Sequence, residues 1–242
     1  MSKIINLIRR TKFKYLLTRS IVKGDIDTII RIHTNTKIYN SKITVKQGGS
    51  LIIGKDCVIR NLNLLVEGTV NIGNSNLIDN GNSPSINITI ANGNFNLGDF
   101  NRINSRILIR FGGSLTIGNH NNINDGTEIR ADEKISVGDY NQISYNCVIW
   151  DTNTHNMYAD AKRRELTNIH FPVFGFEFEK PKTKPIKIEN DCWVGRGASI
   201  LKGVTLNNSS IVGYNTTLSN CIIEERKIVV SKIENTIFER NI

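Results

Sequence analysis

The chain is 242 residues long, 39% hydrophobic and 22% charged, and its 31 basic and 22 acidic side chains leave a formal charge of +9. This is the composition of a folded, soluble protein with enough apolar residues for a large core. With no run of about twenty apolar residues and no small-residue cleavage site near the start, neither a membrane span nor a signal peptide is expected, and a cytoplasmic location is.

From Lys3 to Lys23 the chain carries seven basic residues and no acid, interleaved with aliphatic and aromatic side chains. The spacing predicts a basic amphipathic helix over 1–24, separate from a domain spanning 25–242. Such a helix either caps the end of a repeat array or lies on anionic lipid, which would put the protein at the periphery of the inner membrane.

Beyond Gly24 the sequence repeats. QGGSLIIG, VEGTVNIG, ANGNFNLG, FGGSLTIG and ADEKISVG each end on an aliphatic-Gly step, at Ile53-Gly54, Ile72-Gly73, Leu97-Gly98, Ile117-Gly118 and Val137-Gly138. From Leu97 the aliphatics run 97, 103, 109, then 117, 123, 129, then 137, 143, 149. This predicts one triangular coil per twenty residues, with the glycines at corners requiring positive φ. The polar run DNGNSPS predicts a small loop leaving one corner.

The regularity is strictest from Ile188 to Ile223. IENDCW, VGRGAS, ILKGVT, LNNSSI, VGYNTT and LSNCII each open on a bulky aliphatic, and four positions later comes Cys192, Ala198, Val204, Ser210, Thr216 or Ile222. A period of six fits neither an α-helix nor an ordinary strand; it fits a short strand plus a corner, three of which close one turn of a solenoid. The expected fold class is therefore all-β, a triangular parallel β-helix. Its four cysteines, with no Cys-x-x-Cys pair, read as free thiols, three of them buried, and no spacing suggests a metal site.

Between Ile149 and Ile188 the pattern breaks, and residues 152–185 are expected to protrude as a long loop. It holds His155, the basic cluster Lys162, Arg163 and Arg164, and the aromatics Phe171, Phe174, Phe176 and Phe178.

PIKIENDCWVGRGASILKGVTLNNSSIVGYNTT, with DTNTH upstream, resembles the hexapeptide-repeat acyltransferases, most closely their branch of sugar, capsule and O-antigen O-acetyltransferases. The resemblance covers roughly residues 30 to 242. It implies a left-handed helix, against the usual rule for parallel crossovers, a homotrimer, and acetyl-CoA bound between neighbouring subunits. The histidine matching His155 is the family's catalytic base. Trp193, in the Trp193-Val194-Gly195 step, matches a tryptophan lining the channel near the thioester, and Gly195 belongs with it. Arg196, Tyr214, Ser219 and Asn220 fall where family members contact the pantetheine arm. Tyr214 and Asn215 replace a small pair, and IVVSKIENTIFERNI stands where the family closes on Gly-Asn-Pro-Ala.

Chemistry points to His155 independently. Acetyl transfer from a thioester to a hydroxyl needs a group that takes the hydroxyl proton during attack, and an imidazole ordinarily titrates near pH ~6.5. Asp151, four residues earlier, is the candidate to hold its second nitrogen, although Asp151 and Asn153 could equally touch the acceptor. Trp150, Arg163, Arg164, Phe174 and Phe176 complete the expected acceptor site, with aromatics stacking on sugar faces and cations meeting CoA phosphates or an acidic glycan. His33, His120 and His170 read as solvated. The alternatives are an N-acetyltransferase of a nucleotide-linked amino sugar and a non-catalytic scaffold. A nucleic-acid partner is not expected, because the basic residues gather in the first segment and one loop rather than along a face of the repeats.

Overall fold

The computed structural model describes residues 16–79, 86–172 and 179–232, and they form a parallel β-solenoid of about ten turns. One face runs from Leu16–Thr18 to Ile228–Val229, a second from Ile21–Gly24 to Thr217–Leu218, and a third from Ile29–Ile32 to Ile222–Ile223. Every pairing along these faces is parallel, each strand bonding to the strands one coil before and after it. Stacked inward aliphatics such as Ile59, Ile78, Ile103, Ile123, Ile143, Val194 and Val212 make one continuous core.

The six-residue words behave as their period requires. All six opening aliphatics from Ile188 to Leu218 are buried, as are Cys192, Ala198, Val204, Ser210 and Thr216. Ile222, in the final coil, is 67% exposed. All four cysteines are free; Cys57, Cys147 and Cys192 are buried, and burial raises the Cys57 and Cys147 thiols above their ordinary range.

Three expectations are corrected. Residues 16–18 and 21–24, assigned above to a basic helix, are strands: they pair with Lys37–Tyr39 and Lys42–Val45, and the Leu16 and Ile21 amides donate to the Thr36 and Ser41 carbonyls at 3.0 and 2.9 Å. An exposed sheet edge needs backbone partners, which a strand supplies and a helix cannot. The remainder of the predicted helix lies outside the described residues, as do 80–85 in the polar insert. Secondly, the second face is offset by two residues in one coil. Ile107, not Ile109, pairs with Ile129, and Ile109 pairs with Ala131.

The third correction concerns the glycines. The left-handed corner residues are Asp56, Ser75, Phe100, His120 and Tyr140, with φ between 55° and 60°, each two positions after the aliphatic-Gly step. Gly48 and Gly112 do have positive φ, of 72° and 74°, whereas the glycines of the aliphatic-Gly steps answer to close packing of the chain on itself. A Cβ on Gly98 would lie 2.5 Å from both the Gly118 carbonyl oxygen and Asn119 Oδ1. Those same side chains tie the coils together: Asn119 Oδ1 accepts from the Asp99 amide at 2.8 Å, and Asn190 Oδ1 from the Asp139 amide at 2.8 Å. Gly98→Ala is therefore expected to destabilise by about 1–3 kcal/mol, the ordinary cost of overpacking, in a denaturant titration. A change below about 0.5 kcal/mol would show that the coils can spread at no cost.

A second ladder runs inside. Asn101 Oδ1 accepts from the amide and side chain of Asn121 at 2.8 and 3.0 Å, while Asn121 Nδ2 donates to the Gly138 carbonyl at 2.8 Å. The buried Asn101 and Asn121 amides are tolerated there because the adjacent coils satisfy them. On the outer edge of the same corner, His120 is sandwiched between Phe100 and Tyr140, with centroids 5.0 and 4.7 Å away and rings within 5° of parallel, rather than merely solvated.

Candidate functional site

The interruption enters at the corner between the second and third faces. The third face passes directly from Lys134–Val137 to Ile186–Ile188, so everything from Asp151 to Pro185 is an insertion between two strands. Among its described residues it contains one helix, α1, Asp160–His170, with no buried residue. Phe174, Phe176 and Phe178 lie outside the described residues, and Phe171 is exposed.

The two ends of the insertion are stapled together. Thr152 and Thr183 form an antiparallel bridge, the Asn153 amide donates to the Lys182 carbonyl at 2.9 Å, and the Lys184 amide donates to the Asp151 carbonyl at 2.9 Å. Thr183 Oγ1 donates to Glu133 at 2.5 Å, and Lys202 Nζ donates to Asn153 Oδ1. Arg130, 3.7 Å from Asp132, also reaches the Thr154 carbonyl at 3.5 Å. Thr154 itself adopts a left-handed φ of 65°, turning the chain so that His155 is exposed at the loop root.

Asp151 has a different role from the one expected. It is wholly buried, and its two carboxylate oxygens accept from the amides of Asp132, Glu133 and Lys134 at 2.8, 2.9 and 2.7 Å. Those bonds commit it to the turn below the loop rather than to the His155 imidazole. Burial pushes its pKa up to about 6 against the opposing pull of the three amides. Beneath it Arg110 grips Asp132 through two bonds of 3.2 and 3.1 Å, and burial together with Arg110 lowers the Arg130 guanidinium. None of Arg110, Arg130 or Asp132 stood out in the sequence, since their link is a register of twenty or twenty-two residues between coils.

The remaining candidates divide between places. Trp150 sits on the second face between Arg130 and Leu201, with its Nε1 buried and unpartnered. Arg163 donates to the Asn156 carbonyl at 2.7 Å and stacks on Tyr158, so it braces the insertion; Arg164 is exposed on α1. Ser219 and Asn220 are exposed at the loop's own corner, where Lys184 Nζ donates to Asn220 Oδ1 at 3.3 Å. Arg196 and Tyr214 are exposed at the opposite edge of the second face, and Trp193 is 54% exposed on the first face. Close packing requires a glycine at Gly195, since a Cβ there would meet the Val212 carbonyl oxygen at 2.8 Å. Among the described residues no cluster of His, Cys, Asp and Glu could hold a metal, and no helix is long and apolar enough to cross a membrane.

No protein-family model and no curated protein matches the chain. Among solved structures it is similar to the polySia-specific acetyltransferase NeuO, at 18% identity over 90% of this chain and 80% of that one, with a TM-score of 0.42. It is also similar to the hexapeptide-repeat-containing acetyltransferase VCA0836 from Vibrio cholerae O1 biovar eltor, complexed with acetyl coenzyme A, at 22% identity over 59% and 67% of the two chains with a TM-score of 0.43. A third similarity is to the polysialic acid O-acetyltransferase OatWY, at 21% identity over 93% and 94% with a TM-score of 0.40.

Proposed function

We propose that the chain is an acetyl-CoA-dependent O-acetyltransferase that modifies a sugar hydroxyl of a bacterial surface polysaccharide, with His155 as general base. The observation that carries this reading is an exposed imidazole at the root of an insertion whose ends are fixed by four hydrogen bonds, within the motif DTNTH that resembles the family's. In the proposed reaction His155 takes the proton of the sugar hydroxyl as its oxygen attacks the thioester carbonyl. The carbon–sulfur bond then breaks, and the imidazolium returns its proton to the leaving thiolate. Backbone N–H groups stabilise the intervening oxyanion, and the buried Trp150 Nε1 is a further unpaired donor near the loop root.

The split of candidates between two corners supports a site shared by two copies. One copy would bring His155, Lys184, Lys202 and Asn220, and its neighbour Trp193, Arg196 and Tyr214, with the exposed cations facing the phosphates of CoA. The test is a mixing experiment. His155→Ala and Arg196→Ala proteins, each weakly active alone, are expected to regain about a quarter of wild-type thiol release when co-assembled as trimers, because that share of sites receives both intact halves. Absence of any recovery in verified mixed oligomers would place both residues in one chain's site. Release of CoA thiol from acetyl-CoA in the presence of capsular and O-antigen glycans tests the activity itself; an amino-sugar nucleotide as the sole acceptor would favour N-acetylation.

A further inference from the structure

One corner of the prism is cut short. Between the first and second faces, the step from the inward aliphatic to the next inward small residue is four positions in later coils, from Ile123 to Thr127, Ile143 to Cys147 and Val194 to Ala198. From Ile103 to Ser105 it is two, and the ladder records the jump: Ile103 pairs with Ile123, but the next partners are Ser105 and Thr127. The chain therefore takes an inside track past Asn104 while the coil above bulges through Asp125 and Gly126. The result is a recess of about 240 Å³ at this corner, at the opposite end of the second face from the insertion that bears His155.

Its chemistry is that of an unfilled hydrogen-bonding site. Asn104 is nine-tenths buried and Ser105 is 2% exposed, both line the recess, and neither Asn104 Oδ1 nor Ser105 Oγ has a partner. Elsewhere at this corner the hydroxyl is used twice: Thr127 Oγ1 donates to the Ser144 carbonyl at 2.9 Å and accepts from the Cys147 amide at 3.1 Å. Leaving a buried polar group unsatisfied costs about 1–3 kcal/mol, so two in one recess call for a ligand or water. The wall is completed by Arg106, bonded to Glu128 at 3.1 Å, and by Asp125, whose carboxylate accepts from the Gly126 amide at 2.8 Å.

We propose that this recess binds a neutral, hydroxyl-rich ring the size of one sugar. An orphan amide oxygen takes a donor, Ser105 Oγ takes or gives a proton, and the paired Arg106 and two carboxylates leave the wall net negative, which disfavours an anion. The volume lies below the ~300 Å³ at which drug-sized pockets begin. The inference does not rest on acetyl transfer, and its assay contains no acetyl donor, so failure of one leaves the other standing.

The experiment is ligand-observed saturation-transfer NMR on the full chain with methyl α-glucoside, and with glucuronate and glucosamine as charged comparators. Expected is a signal for the glucoside that exceeds that of glucuronate, with binding weakened about tenfold by Asn104→Leu. Ser105→Ala, a smaller change for use if the leucine variant fails to fold, is expected to weaken it in the same direction. His155→Ala is expected to leave it intact. No glucoside signal at tens of millimolar would show that water alone satisfies the two atoms and would overturn the proposal. Binding insensitive to both recess substitutions, equal or stronger binding of glucuronate, or selective binding of glucosamine would overturn it too.

Discussion

Replacing His155 with alanine is expected to lower turnover of acetyl-CoA and glycan about 10²–10⁴-fold, the usual contribution of a positioned general base, while the KM for acetyl-CoA and the thermal midpoint stay near wild type. His155 is exposed and the hydrogen bonds that staple the two ends of the insertion are made by other residues, so the solenoid is expected to keep its stability. The readout is thiol release at saturating acetyl-CoA, with a melting curve on the same sample. Activity within a few-fold of wild type in a folded variant would remove His155 from the reaction, and with it the proposed mechanism.

Asp151→Asn is expected to change stability in a pH-dependent way. Asparagine puts an NH2 donor where Asp151, ionised or protonated, has a second oxygen with a lone pair, so one of the Asp132, Glu133 and Lys134 N–H groups faces another donor, at a cost of about 1–3 kcal/mol. The sign of the pH term follows from the raised pKa. Folded Asp151 holds its proton up to about pH 6, against an ordinary value of 3.8, so between those values the folded state binds more protons than the unfolded one. Wild-type stability therefore falls as pH rises through that window, by up to about 3 kcal/mol from this group, and the asparagine variant lacks the term. The variant should be clearly the weaker protein near pH 4.5, and the gap should narrow by pH 7. Denaturant titrations of both proteins at the two pH values measure this; a gap that widens with pH would mean that the three amides outweigh burial. Because Asp151 is the first residue of the insertion, kcat is expected to fall in the variant with little change in the KM for acetyl-CoA.

The repeat was legible because burial in a solenoid is a one-dimensional rule. Each inward position stacks on its equivalent one coil away, so Ile188, Val194, Ile200, Leu206, Val212 and Leu218 announce the three faces by spacing alone. The same logic located the insertion, since a stretch that cannot supply stacked aliphatics must leave the coil. His155 is proposed because a motif and an elementary requirement of the chemistry coincide within five residues.

What spacing could not reveal are relations between coils. Asp151 and His155 are four apart and look like partners, but the carboxylate is claimed by amides seventeen to nineteen residues earlier that stack beneath it. The aliphatic-Gly steps suggested positive φ; only the approach of the next coil's backbone shows that they are needed for lack of a Cβ. The recess at Asn104 arises from a corner two residues shorter than the next, invisible until the register of the neighbouring coil is known. Local periodicity thus set the architecture and the place of the insertion, because each depends on which residues avoid water. The tertiary structure decided which polar groups meet and which are left without partners, because those contacts join residues a whole coil apart.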